Sequence, residues 1–214
     1  MFLHGYNRIL STQNVMRRCS GAVLFLVGFL TAAEVCGAYG LQAPFGYTLN
    51  GQPVSVLAYP DTKAVVLFFA ATDCPICNRY IPEIQSLENK YAAQHVVFWY
   101  VYPNVGETAA GVRQHEHDFG VEQHVLLDPH HQLVDFVHAR ITPEVAVLVP
   151  AQSAAEPFRV FYHGRIDNRY IQIGLQRPSP TRFDLDQAIE DVLQHRPVQP
   201  ADGPPVGCGI IGQQ

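Results

Sequence analysis

The chain has 214 residues, 48% of them apolar and 15% charged, with a formal net charge of −5. That is enough apolar material for one core of ordinary size, which argues against a second large domain. The charge balance excludes the basic signature of a nucleic-acid binder and the composition of a disordered chain.

At the amino end, residues 21 to 33 are uncharged and apolar, with Arg17 and Arg18 before them and Cys36-Gly37-Ala38 after. This layout predicts a secretory signal peptide over residues 1–38, removed near Ala38, and a periplasmic or extracellular product. Such a helix spans about 20 Å of a ~30 Å hydrocarbon layer, so an uncleaved membrane anchor is the weaker alternative. Met16 is an alternative start, and Glu34 and Val35 argue against lipid attachment at Cys36. Beyond residue 38 the chain keeps Cys74, Cys77 and Cys208. Disulfides persist in an oxidising compartment, which favours redox cycling of the C-x-x-C pair over zinc binding.

Asn50-Gly51 between β-prone residues predicts a hairpin within 47–59. The apolar run at 64–70 reads as a strand covered on both faces. Ile76, Tyr80, Ile84, Leu87 and Tyr91 recur at steps of three and four, which predicts a helix starting at the C-x-x-C and kinked at Pro82. Strands follow at 96–102, 125–127, 145–149 and 159–162, and helices at 108–119, 131–139 and 184–194. This order predicts an α/β sandwich: a central mixed sheet flanked by helices and preceded by a β-hairpin. The domain is taken as residues 39–196. The tail, 197–214, has four prolines and four glycines and is expected to be extended, adding no core layer.

A cysteine in the first turn of a helix faces unpaired N–H groups and the positive end of the helix dipole, so Cys74 is expected to be the more acidic, more exposed, attacking thiol. Cys77, one turn later, is placed to resolve the mixed disulfide. Pro75 suits the first helical position.

The strand, Cys74-Pro75-Ile76-Cys77 and Pro82 resemble the active-site segment of the thioredoxin superfamily. Thr142-Pro143 before a strand resembles its cis-proline, which implies a substrate groove with exposed backbone at those two residues. Residues 162–170 (Tyr-His-Gly-Arg-Ile-Asp-Asn-Arg-Tyr) and Gly207-Cys208-Gly209-Ile210 are similar to peroxiredoxin-like redoxins of the alkyl hydroperoxide reductase and thiol-specific antioxidant (AhpC/TSA) family. The resemblance implies a thioredoxin-like sandwich over nearly all of 46–210. It departs from true peroxiredoxins in the loop that binds peroxide: Ala71 and Leu67 stand where a Thr or Ser and a Pro are required.

The resulting expectation is an exported thiol-disulfide oxidoreductase using Cys74 and Cys77 on protein or small-molecule thiols and disulfides. Its electron donor is unspecified, and it has no cofactor and no metal. A thiol peroxidase and a copper-binding chaperone similar to Sco proteins are the alternatives. His115 and His117 fall about 200° apart on a helix and so cannot share a metal; His130 and His131 are expected to be solvated. Arg165 is expected to pair with Asp167 or Asp184, and Asp73, Glu83 and Glu144 to be exposed. Cys208 is read as a third redox cysteine on a mobile tether. Eleven residues beyond Pro197, it has a reach of about 36 Å, enough to return to the C-x-x-C.

Overall fold

The computed structural model of the protein describes residues 44–122, 124–151 and 157–212, all within one compact unit. The export segment expected over 1–38, with Met16 and Cys36, lies outside the described residues. In chain order the elements are β1 (Gly46–Tyr47), β2 (Pro53–Val54), β3 (Ala64–Phe69), α1 (Pro75–Tyr91), β4 (Val96–Tyr102), α2 (Ala109–Phe119) and β5 (Val125–Leu127). They continue with α3 (Gln132–Val137), β6 (Ile141–Thr142), β7 (Glu144–Pro150), β8 (Phe158–Gly164), β9 (Tyr170–Gln172), β10 (Leu175–Gln176), α4 (Asp184–Leu193) and β11 (Cys208–Gly209).

The main sheet runs β2-β1-β5-β4-β3-β7-β8. β3, β4 and β5 are mutually parallel, whereas β7 and β8 return antiparallel and the short β1–β2 hairpin closes the other edge antiparallel to β5. β3 is an interior strand between β4 and β7, and all six of its residues are buried, as its unbroken apolar run requires. Its alternate side chains feed two cores. Val66 and Phe68 pack with Ile76, Ile84, Leu185 and Ile189 from α1 and α4. Val65, Leu67 and Phe69 pack on the opposite face with Leu133, Val134 and Val137 of α3. Helices therefore cover both faces of one mixed sheet, in the thioredoxin-like arrangement.

The apolar stripe of α1 is buried as its spacing predicts, and the helix continues through Pro82 to Tyr91. The tail departs from expectation. It is extended but docked: β11 pairs antiparallel with β6, and Ile210 is buried in the α3-side core. Two-residue strands carry no periodicity, so neither β6 nor β11 was readable locally. The same holds for β9 and β10, which form a separate two-stranded ribbon.

Asp128, at the end of β5, is fully buried and caps α3, accepting from the backbone N–H groups of Gln132 (2.7 Å), Leu133 (3.0 Å) and Val134 (3.1 Å). Removing the carboxylate strands these donors away from water. Asp128→Ala is therefore expected to lower stability by about 2–4 kcal/mol. Urea unfolding followed by Trp99 fluorescence reads this directly, since Trp99 is the sole tryptophan and is buried. An unchanged midpoint would mean that α3 is capped by other groups.

Candidate active site at Cys74, Cys77, Thr142 and Cys208

β3 ends at Phe69, and the chain turns through residues 70–73 into α1. Ala70 N–H donates to Val101 O at 2.9 Å and Cys74 N–H to Ala71 O at 3.2 Å, which anchors both ends of this turn. In its middle, Thr72 N–H donates to a Glu107 side-chain oxygen at 3.0 Å. Cys74 is the residue that caps α1, in extended conformation, and Pro75 occupies the first helical position, where no N–H is needed.

This placement acts on the thiols in opposite directions. The Cys74 thiol is pushed down to about 5, first by a hydrogen bond from Cys77 and then, against the cost of burial, by one from Cys208 and by the N–H groups of Cys77 and Ile76 at the helix start. Burial pushes Cys77 well above the usual thiol range, and the charge on Cys74 adds to it. The pair is thus split into one group that ionises readily and one that holds its proton, as an attacking and a resolving thiol require.

Thr142 and Pro143 are beside the sulfurs, and the peptide bond between them is cis. Thr142 is fully buried, and its carbonyl oxygen is 3.2 Å from Cys74 Sγ. Cys208 comes to the same place, its Sγ 3.0 Å from Cys74 Sγ. Burial and the neighbouring Cys74 raise the Cys208 thiol to about 11. All three cysteines are free thiols in this structure. The four motif residues and Cys208, widely separated in sequence, therefore form one cluster.

Several expectations need correcting. Cys74 is not exposed: its relative accessibility is 0%, equal to that of Cys77, because the tail and the Thr142–Pro143 turn cover it. Glu144 is 3% exposed; it accepts from Arg140 N–H at 2.8 Å and Ile141 N–H at 3.3 Å and lies against His163 Nε2, so it braces the turn entering the cis-proline. A charged residue opening the otherwise apolar strand 144–149 was the available signal. His131 is buried, with Nε2 2.9 Å from Pro103 O, whereas His130 is exposed. The tail is docked rather than loose.

Arg165 pairs with Asp184 at 2.6 Å and with Asp202 of the tail, while Asp167 accepts from Tyr80 and from Arg169 N–H. Asp73 is exposed and Glu83 half-exposed. His115 is buried between Tyr102 Oη (3.0 Å) and Asn78 Oδ1 (2.8 Å), and His117 is exposed, so the two imidazoles do not converge. Among the described residues no group of three or more His, Cys, Asp or Glu side chains could hold a metal ion. Nor is any helix among them long and apolar enough to cross a membrane. Glu107 escaped the sequence reading, and Gly207 entered it only as part of the terminal Gly-Cys resemblance. Glu107 sits in a loop without a motif, and the steric role of Gly207 shows only in the fold, where a Cβ would collide with Thr142 O.

Two solved structures share this fold over most of their length. A hypothetical protein from Sinorhizobium meliloti 1021 is 20% identical, with a TM-score of 0.65 over 80% of this chain and 91% of that one. An uncharacterized conserved protein from Geobacillus kaustophilus is 22% identical, with a TM-score of 0.63 over 81% and 92%. A search of curated proteins finds no match. The sequence model of the AhpC/TSA family matches residues 37–158, more than half of the sequence and including the turn, both C-x-x-C cysteines and the cis-proline. The chain belongs to the AhpC/TSA family.

Proposed function

We propose that this protein is an exported thiol-disulfide oxidoreductase, with residues 1–38 directing export. The observation that carries the reading is the opposed ionisation of the two thiols: Cys74 lowered to about 5 at the start of α1, Cys77 raised by burial one turn later. Cys74 thiolate attacks a substrate disulfide, forming a mixed disulfide and expelling one substrate thiolate. Cys77 then attacks Cys74 Sγ, its proton passing to the departing substrate sulfur, which leaves as a thiol as the Cys74–Cys77 disulfide closes. The electron pair comes from the dithiol itself, so the cycle needs no cofactor. Thr142 and Pro143 shape the groove in which the substrate lies.

Family membership favours a second reading, thiol peroxidase, in which Cys74 thiolate attacks peroxide. Against it, Leu67 and Ala71 are fully buried apolar residues at the two positions that should bind and orient peroxide. Stopped-flow oxidation of the reduced protein separates the two readings. Glutathione disulfide is expected to oxidise the Cys74/Cys77 pair, while hydrogen peroxide reacts no faster than with a free thiolate. Rapid sulfenic acid formation at Cys74 would replace the exchange reading with the peroxidase one.

A further inference from the structure

Residues 206–211 meet the active site as an extended strand. β6, which ends at Thr142 beside the cis-proline, forms a two-stranded sheet with β11, and Cys208 is the register partner of Thr142. Added-strand binding of this kind is how extended peptides seat on exposed backbone. The strand also carries its sulfur to 3.0 Å from Cys74. A disulfide forms at ~2.05 Å, so closure asks for about 1 Å of approach.

The docking is held from several sides. Ile210 N–H donates to Arg140 O at 3.0 Å, Ile211 N–H to Asn104 Oδ1 at 2.8 Å, and Val105 N–H to Ile211 O at 3.3 Å. Upstream, Asp202 is clasped by Arg165 and Arg182. Gly207 permits the approach, since any Cβ there would collide with Thr142 O and meet Pro143 Cδ at 3.0 Å. The result is a buried Cys74 beneath a half-buried Cys208.

We propose that residues 206–211 are a built-in stand-in for a substrate strand: Cys208 occupies the place of the substrate sulfur and exchanges with Cys74, and an external disulfide reaches Cys74 when this strand lifts. The proposal rests on the exchange reading above and adds its regulation. Starting from the Cys74–Cys77 disulfide, Cys208 loses its proton to solvent and its thiolate attacks Cys74 Sγ. The Cys74–Cys208 bond forms as the Cys74–Cys77 bond breaks, and Cys77 leaves as a thiolate and takes up a proton. One disulfide is exchanged for another, with no net oxidation.

The test uses the full chain carrying Cys77→Ser, reduced, treated with one equivalent of glutathione disulfide and mapped by mass spectrometry without reduction. Cys74 takes up glutathione, Cys208 displaces it, and a peptide joining Cys74 to Cys208 is expected to dominate. Adding Gly207→Val, which blocks the strand's approach, should leave glutathione on Cys74. In the reduced chain with both active-site cysteines intact, Gly207→Val should speed iodoacetamide labelling of Cys74 by about tenfold or more, a factor equivalent to ~1.4 kcal/mol of docking. Glutathione that persists on Cys74 with the tail intact, or equal labelling rates with and without Gly207→Val, would overturn the stand-in while leaving the exchange reading in place. Failure of Cys74 to take up glutathione in either Cys77→Ser protein would overturn both.

Discussion

Replacing Cys74 by serine is expected to lower the rate of exchange with an external disulfide by roughly a thousandfold or more, the scale of loss when an enzyme's nucleophile is removed. The attacking species is a thiolate, and with the Cys74 thiol held near 5 it is ionised almost completely at pH 7. A serine hydroxyl in the same place stays protonated throughout the physiological range. Cys77→Ser/Cys208→Ser should behave differently. Cys74 still attacks, and the serine at 77 still offers a hydrogen bond, but nothing remains to resolve the mixed disulfide. A covalent Cys74-substrate adduct should therefore accumulate, detected by mass spectrometry as one substrate equivalent on the Cys74 peptide. An adduct on Cys77 in the single Cys74→Ser protein, at an undiminished rate, would reverse the assigned roles.

The second large effect is on the pH dependence of the couple. Reducing the disulfide consumes two electrons and, below about pH 5, two protons, because both thiols are then protonated. The reduction potential should fall by ~59 mV per pH unit in that range and by ~30 mV per unit above it, where Cys74 remains a thiolate and only Cys77 takes a proton. A break near pH 5 is the expected result, with thiolate absorbance near 240 nm of the reduced protein appearing over the same interval. By the same linkage the thiolate favours the reduced state, raising the potential at pH 7 by about 59 mV over a pair with ordinary thiols.

Stability follows with a definite sign. The folded-state value of Cys74 lies below the ordinary thiol value of 9.0, so its contribution to the reduced protein is complete above pH 9 and is lost as the pH falls toward about 5. The urea midpoint of the reduced protein should therefore fall relative to that of the oxidised protein as the pH drops through that window. A potential that falls at one constant slope from pH 4 to pH 8 would place the acidic thiol elsewhere.

Both effects originate in features that were legible in the chain. The unbroken apolar run at 64–70 reads as a strand covered on both faces, and apolar residues at steps of three and four share one face of a helix, so β3, the turn and α1 follow from local patterning. Cysteine followed by proline at a helix start locates the thiol at the positive end of the helix dipole. The Thr142-Pro143 pair, beside the sulfurs, was readable as a motif, since proline is the residue type that adopts the cis peptide bond with any frequency.

Tertiary structure alone decided how that site is covered. Cys208 and Cys74 are 134 residues apart, and their meeting depends on a two-residue strand, on Gly207 passing under a carbonyl oxygen and on Asp202 between two arginines. None of these has a period to detect. The expectation of an exposed Cys74 failed for the same reason, since accessibility is a property of what packs against a residue and not of its neighbours in sequence. Glu144 and His131 were likewise misplaced at the surface, because charge or polarity predicts exposure only when no buried partner is supplied, and Arg140, Ile141, His163 and Pro103 supply them here. The sequence by itself determined the sheet, the helix start and the local share of the thiol's acidity, from Cys77 and the helix-start N–H groups, all set by local pattern. The fold decided which long-range partner lies over that thiol, because such contacts are chosen by the packing of distant segments.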